Sequence, residues 1–277
     1  MTTTLCTASI TEINIYPVKS CRGIALPAAT LTDRGFVHDR EWLIVRPDGR
    51  FVTQRDDPRL ALIVPAVTRI TLELTAPGMP KLALSLDGQG QRVDVTCWRD
   101  RCAAFDQGGE AADWLTGYLG TPHRLVRFDP THERASDPAW TQDVRALNRF
   151  SDAFPWLLIS QASLEDLNRR LSEALPMNRF RPNIVVDGLP PYGEDLAVDF
   201  TSGAVRLRPV KGCTRCIVTT TNQLTAERAS EPLETLRSYR FNRDLKGVTF
   251  GQNLILEKGE GQTLRVGDRF EVRVRSA

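Results

Sequence analysis

The sequence predicts a mainly β fold with a few helices (α+β), built from barrels rather than from a doubly wound sheet. Three observations carry that expectation. Short apolar or alternating stretches recur with Gly, Pro or Asp turns between them, and helical periodicity is confined to two places. A connection rich in Pro, Asp, Thr and Arg spans 129–143, and it divides the chain into expected domains 1–128 and 129–277.

In chain order, strands are expected at 10–18, 41–46, 61–67, 70–74, 81–86 and 92–96, with turns such as Arg46-Pro47-Asp48-Gly49 between them. A helix at 110–119 gathers Ala111, Trp114, Leu115 and Tyr118 on one face, and Gly120 can end it. A strand at 125–128 precedes the loosely structured connection. Beyond it, a strand at 157–160 leads to a helix capped by Ser163, with Asp166 three residues on, running to 175. The remaining strands are expected at 184–186, 204–207, 216–220, 253–256 and 270–274.

With 277 residues, 41% hydrophobic and 25% charged, the composition is that of a soluble globular protein with a sizeable core. A net charge of +2 predicts neither nucleic-acid nor membrane binding, so any anion site must come from local clustering. No apolar run is long enough to span a bilayer, and residues 1–13 lack the regions of a signal peptide. Six cysteines over this length do not form a secreted disulfide framework, which makes the cytoplasm the default compartment.

The densest chemistry lies in Lys211-Gly212-Cys213-Thr214-Arg215-Cys216. Two thiols lie beside two cations, and positive charge favours a thiolate, which is a soft ligand for a soft or redox-active metal. The spacing alone also fits a zinc half-site, a redox-active pair, or two small apolar residues. A zinc site needs a second pair, for which only Cys97 and Cys102 are available; His38, His123 and His132 show no ligand spacing. A thioredoxin-like pair should open a helix, whereas the β-branched residues 217–221 favour a strand.

The segment Lys211 to Arg240 resembles the thiol-ligand motif of MOSC-domain proteins, the molybdenum cofactor sulfurase C-terminal family. The resemblance runs through nearly the whole chain. Its markers are Ile15-Tyr16-Pro17-Val18-Lys19-Ser20-Cys21-Arg22-Gly23, Asp39-Arg40, Ser160-Gln161-Ala162-Ser163-Leu164, Phe180-Arg181-Pro182-Asn183, the cysteine motif, Phe250-Gly251-Gln252-Asn253 and a Val266-Gly267-Asp268 turn. The branch it is most similar to is that of the amidoxime-reducing components and their YcbX-like bacterial relatives. The resemblance implies an N-terminal β-barrel domain, a C-terminal MOSC barrel, and a molybdenum cofactor, a pterin with a dithiolene and a phosphate, shared between them.

It also implies roles residue by residue. Cys216 maps to the metal ligand and catalytic position, with Cys213 a neighbour. Arg215 would favour the thiolate, and Thr214 would help hold the cofactor. Lys19, Ser20, Arg40 and Arg181 map to cofactor contacts and supply the charge that a phosphate requires. Arg181, immediately before Pro182, is expected in extended backbone at a strand start. Asn183 and Asp152 are placed at the pterin edge, and Ser160 and Asn253 are weaker carry-overs. Two departures stand out: Ala153 and Phe154 replace hydroxyl residues found in some relatives, and Ala197 stands where close relatives often carry Trp.

The implied function is a molybdenum-dependent oxidoreductase that reduces N-hydroxylated small molecules. The alternative is a cofactor-binding or sulfur-carrying protein of cofactor maturation. No C-x4-C-x2-C pattern and no Gly-rich dinucleotide fingerprint occurs, so no iron–sulfur cluster or flavin is expected in the chain. Electrons would then come from a separate protein such as a ferredoxin or a flavin reductase.

Overall fold

The computed structural model describes residues 3–88 and 90–275, so residues 1, 2, 89, 276 and 277, including the outermost ends of both expected domains, lie outside the described residues. Its centre is a closed barrel. Around it, Trp156–Ser160, Ile184–Asp187, Thr3–Ile15, Arg269–Arg275, Ala197–Ser202, Val205–Thr214 and Gly247–Lys258 pair in that order, and the last pairs with the first. All neighbours are antiparallel except the parallel pair Trp156–Ser160 and Ile184–Asp187. Closure removes every free edge. Alternation along each strand sends Ile10, Ile13, Leu158, Val186, Phe200, Leu207, Leu254, Phe270 and Val272 into one core.

The first strand comes from the N-terminal half, yet it sits between two strands of the C-terminal half. Residues Ala28–Thr32 likewise pair with Thr263–Arg265. The chain leaves the barrel after Phe36 and builds a second β unit. Four antiparallel strands, Trp42–Val45, Arg124–Phe128, Asp100–Asp106 and Arg92–Cys97, form one sheet; Val64–Val67, Thr71–Thr75 and Leu82–Ser85 form another. Helix Gly109–Leu119 buries Ala111, Trp114, Leu115 and Leu119 against them. Gly120 ends the helix at φ +79°, a left-handed conformation that glycine adopts without steric cost.

Four expectations are corrected. Ser163 does not cap its helix. The helix spans Gln161–Asn168, so Ser160 occupies the cap position, and the buried Glu194 accepts from Ser160 N (3.2 Å) and Ser163 Oγ (2.8 Å) instead. Residues 217–220 form a 3-10 turn, not a strand, because Thr219 and Thr220 turn their hydroxyls back to the carbonyls of Cys216 (2.9 Å) and Ile217 (2.8 Å).

The 129–143 connection is also folded rather than loose. It holds helix Pro138–Thr141 and the short pair Arg134–Ala135 with Leu147–Asn148. The buried Arg134 there donates to the carbonyls of Arg149 (2.9 Å), Ser151 (2.6 Å) and Asp152 (3.0 Å). Finally, the expected strand at 204–207 runs on to Thr214. Pro209 cannot donate to the ladder, and the register shifts at Pro209/Lys211 and Gly212/Thr214 bend the strand toward its cysteine end.

Candidate functional site

One cavity of about 140 Å³ opens where loops from both halves meet. Ten of the eleven expected site residues line it: Lys19, Ser20, Arg40, Asp152, Arg181, Asn183, Thr214, Arg215, Cys216 and Asn253. Ser160 does not. It is buried at the helix cap, and its Oγ has no partner.

The backbone after the first strand turns sharply to present its side chains. Ser20 (φ +69°), Arg40 (φ +46°) and Arg181 (φ +57°) all occupy the left-handed region, uncommon for residues other than glycine and concentrated at functional sites. Arg181 is therefore not extended. Proline at the next position disfavours the right-handed helical region, and the chain resolves this by turning left-handed as it leaves the 3-10 turn Met177–Arg179. Arg40 and Arg181 stack on the ring of the buried Tyr16, with guanidinium carbons 4.4 and 4.2 Å from its centroid. Burial pushes the Tyr16 hydroxyl up to about 12, so the ring carries no opposing charge at neutral pH. Burial also pushes Arg181 down to about 10, with Arg40 adding repulsion, so the fold holds this cation against its own solvation preference.

Arg40 ties the halves together. It donates to Asp39, to Asn183 Oδ1 (2.8 Å) and to the Arg181 carbonyl (3.3 Å). The Asn183 amide is otherwise spent on the protein, accepting from Leu157 N (3.2 Å) and donating to the Asn14 carbonyl (3.1 Å). Asn253 Nδ2 similarly donates to the Lys211 carbonyl (3.2 Å).

The Lys19 ammonium is buried and donates to the Phe150 carbonyl (2.7 Å) and to the Asp152 carboxylate. The Asp152 side chain is 63% exposed at the opening, and its inner oxygen sits in a recess against Lys19 and Trp98. The recess would raise its pKa, but Lys19, with help from Arg55 and Trp98, outweighs it and holds the carboxyl well below the usual range.

The two sulfurs each take an arginine. Arg215 donates to Cys213 Sγ (2.9 Å) and to the Phe180 carbonyl (2.6 Å), so the cation beside Cys216 in sequence serves Cys213 instead. The donor on Cys216 Sγ is Arg55 Nη2 at 3.0 Å, reaching across from the N-terminal half. Arg55, Thr53 and Trp156 line the cavity, and Trp98 borders it through Asp152, yet none was expected from the sequence. Arg55 lies in the Thr53–Asp57 loop, which carries no periodic or motif signal. Cys97 and Cys102 lie in a separate core cluster and all six cysteines are free. Among the described residues no group of three or more His, Cys, Asp or Glu is arranged to hold a metal, which leaves the zinc reading without a ligand set.

Residues 7–122 match the family model for the MOSC N-terminal beta barrel domain, and residues 147–274 match that for the MOSC domain. The chain belongs to the MOSC family. It is 36% identical over 282 residues to mitochondrial amidoxime-reducing component 1 of Homo sapiens, covering 94% of this chain and 81% of that protein. Mitochondrial amidoxime reducing component 2 of Rattus norvegicus is 36% identical over 279 residues (94% and 82%), and that of Homo sapiens 34% over 278 residues (94% and 82%).

The cavity of this MOSC chain fits an anionic, metal-bearing pterin. Five cations line it, Lys19, Arg40, Arg55, Arg181 and Arg215, against the single carboxylate of Asp152. Trp156 and Arg215 line it as well, but Trp156 Nε1 and Arg215 Nε are sealed from the cavity and have no partner among the described residues. Cys213 and Cys216 bring two sulfurs to the same cavity, the soft donor type such a metal takes.

Proposed function

We infer that this chain is a molybdenum-dependent reductase of N-hydroxylated small molecules such as amidoximes and hydroxylamines, and that it takes electrons from a separate donor protein. The observation that carries this reading is the convergence of five cations and the Cys216 sulfur on one cavity. The relatives' names, as amidoxime-reducing components, supply the substrate class.

In this reading Arg40 and Arg181, stacked together on Tyr16, hold the phosphate as forks, and Lys19 adds its point charge from beside Asp152. Asp152 lies at the pterin edge, and Cys216 is the protein ligand to the metal. When bound, the cofactor supplies the redox couple, so that two electrons and two protons convert N–OH to N–H and water. The chain's own part is placement. Tyr16 keeps two guanidinium groups together, Arg134 shapes the 149–152 loop, and the wall around Trp156 and Phe180 limits water. No helix among the described residues is long and apolar enough to cross a membrane, and the free cysteines support a reducing compartment, which we take to be the cytoplasm.

The test is purification from a molybdenum-competent host, with metal analysis, pterin fluorescence, and benzamidoxime reduction driven by a reduced viologen. Molybdenum and pterin near one per chain, with turnover, are expected. A chain that carries a persulfide and reduces no N-hydroxylated compound would instead be a sulfur carrier.

A further inference from the structure

We propose that Arg55, braced by Trp98, sets the reduction potential of the metal through the Cys216 sulfur. The inference rests on the reading of Cys216 as the metal's protein ligand, and goes beyond it by assigning work to two residues outside the cofactor contacts.

Trp98 and Arg99 are the two central residues of a tight turn, since Cys97 pairs with Asp100 across it. Such turns favour Asn or Gly, because the backbone must adopt positive φ. Trp98 stands there at φ +60°, a strained conformation for a bulky residue. It is also 41% exposed. Neither the turn nor the core accounts for it, and its contacts do. The Phe51 ring lies 5.2 Å away, the Arg55 guanidinium stacks 4.7 Å from the indole centroid, and Nε1 donates to Asp152 Oδ1 at 3.1 Å.

Arg55 is held from the other side as well. Arg228, from the C-terminal half, donates to the Arg55 carbonyl at 3.0 Å, and Arg55 N donates to Thr53 Oγ1 at 3.1 Å. With its backbone pinned and its guanidinium stacked, one nitrogen is left 3.0 Å from the Cys216 sulfur. A donor and a positive charge on a ligating sulfur draw electron density from it and favour the reduced, more negative metal. Removing that donor should lower the potential.

The experiment measures the midpoint potential of the molybdenum centre in the holoprotein, by potentiometry followed with electron paramagnetic resonance. Arg55→Gln is expected to shift it downward. Trp98→Leu should shift it the same way by less, because Arg55 is loosened rather than lost. Trp98→Phe, which keeps a stacked ring on Arg55 and loses only the bond to Asp152, should leave the potential unchanged, and the Arg55→Gln/Trp98→Leu double variant should match Arg55→Gln alone. If Arg55→Gln does not retain the cofactor, Arg55→Lys, which keeps the charge without the stacked fork, carries the comparison with a smaller downward shift. Molybdenum bound with an unchanged potential in the Arg55 variants, or additive shifts in the double variant, would overturn this inference alone. A wild-type chain that binds no molybdenum would overturn the reading of the site and this inference with it.

Discussion

Replacing Arg181 with Met separates a cofactor contact from a structural one, because it should weaken cofactor retention while leaving the cofactor-free fold nearly as stable. Without cofactor, the guanidinium makes one hydrogen bond, from Nη1 to the Cys21 carbonyl at 2.7 Å, and stacks on Tyr16. Losing these costs the fold about 1–3 kcal/mol. Against that, burial and the neighbouring Arg40 already press Arg181 down to about 10, and an uncharged side chain of similar length relieves both. The net change in stability of the cofactor-free protein should be small. With cofactor, a charge-assisted contact to phosphate worth about 1.5–3 kcal/mol disappears with nothing to offset it, weakening retention roughly ten- to hundredfold. Molybdenum and pterin content after gel filtration, beside thermal melts of the cofactor-free protein, reads both. Full occupancy in Arg181→Met, or an occupancy loss matched by an equal collapse of the cofactor-free melt, would refute the assignment. Lys19→Ala is a less clean probe, since it also strands Asp152 and the Phe150 carbonyl.

Cys216→Ala should abolish reductase activity while Cys213→Ala keeps a substantial part, as viologen-driven turnover of the purified variants will show; the reverse pattern would mean the ligand is misassigned. The purified chain should turn over with reduced viologen but not with NADH alone, and steady NADH oxidation without an added reductase would reveal a redox centre that the sequence pattern does not announce. Gly251→Ala should destabilise the barrel by more than ~1 kcal/mol: Gly251 sits at φ +79°, and a Cβ there would lie 2.6 Å from Ile159 Cγ1 and 2.8 Å from the Leu158 carbonyl. Burial pushes Glu194 up to about 7 from 4.5, so the native state holds a proton that the unfolded chain has released between those values. Stability should fall as pH rises through that window, by about 3 kcal/mol at most. Melts of Glu194→Gln should lose that slope between pH 4.5 and 7, and an unchanged slope would place its origin elsewhere.

Much of the sheet structure was legible because its strands run apolar or alternate. The expected 92–96, 125–128, 184–186 and 270–274 each fall inside an observed strand. The strand Asp100–Asp106 was missed because Cys102, Ala103 and Ala104 are small and lack the β-branched signature. Helix Leu233–Arg240 was missed because it buries Leu236 alone, too little apolar surface to show a periodicity. The Thr-rich run after Cys216 went the other way: β-branched side chains favour a strand on average, but Thr hydroxyls that bond their own backbone favour a turn where no neighbouring strand is at hand. What no local pattern carries is the threading of residues 3–15 between strands from the far end of the chain.

The candidate site divides along the same physical line. Lys19, Arg40, Arg181 and Cys216 were reached through resemblance to the family's motifs, each lying in a short stretch that carries one. Arg55 and Trp98 did not, because what makes them notable is a contact about 160 residues away in sequence, from Arg55 to Cys216. One trace of such residues can still be read from the backbone. Among the described residues nine that are not glycine take positive φ, and four of them, Ser20, Arg40, Trp98 and Arg181, touch or border the same cavity. A glycine at any of these positions would ease the backbone and remove the side chain, whereas here the strained backbone is retained together with a hydroxyl, two guanidinium groups and an indole. At these four positions local rules of turn chemistry are broken for side chains that converge on one cavity, as function rather than folding economy would require.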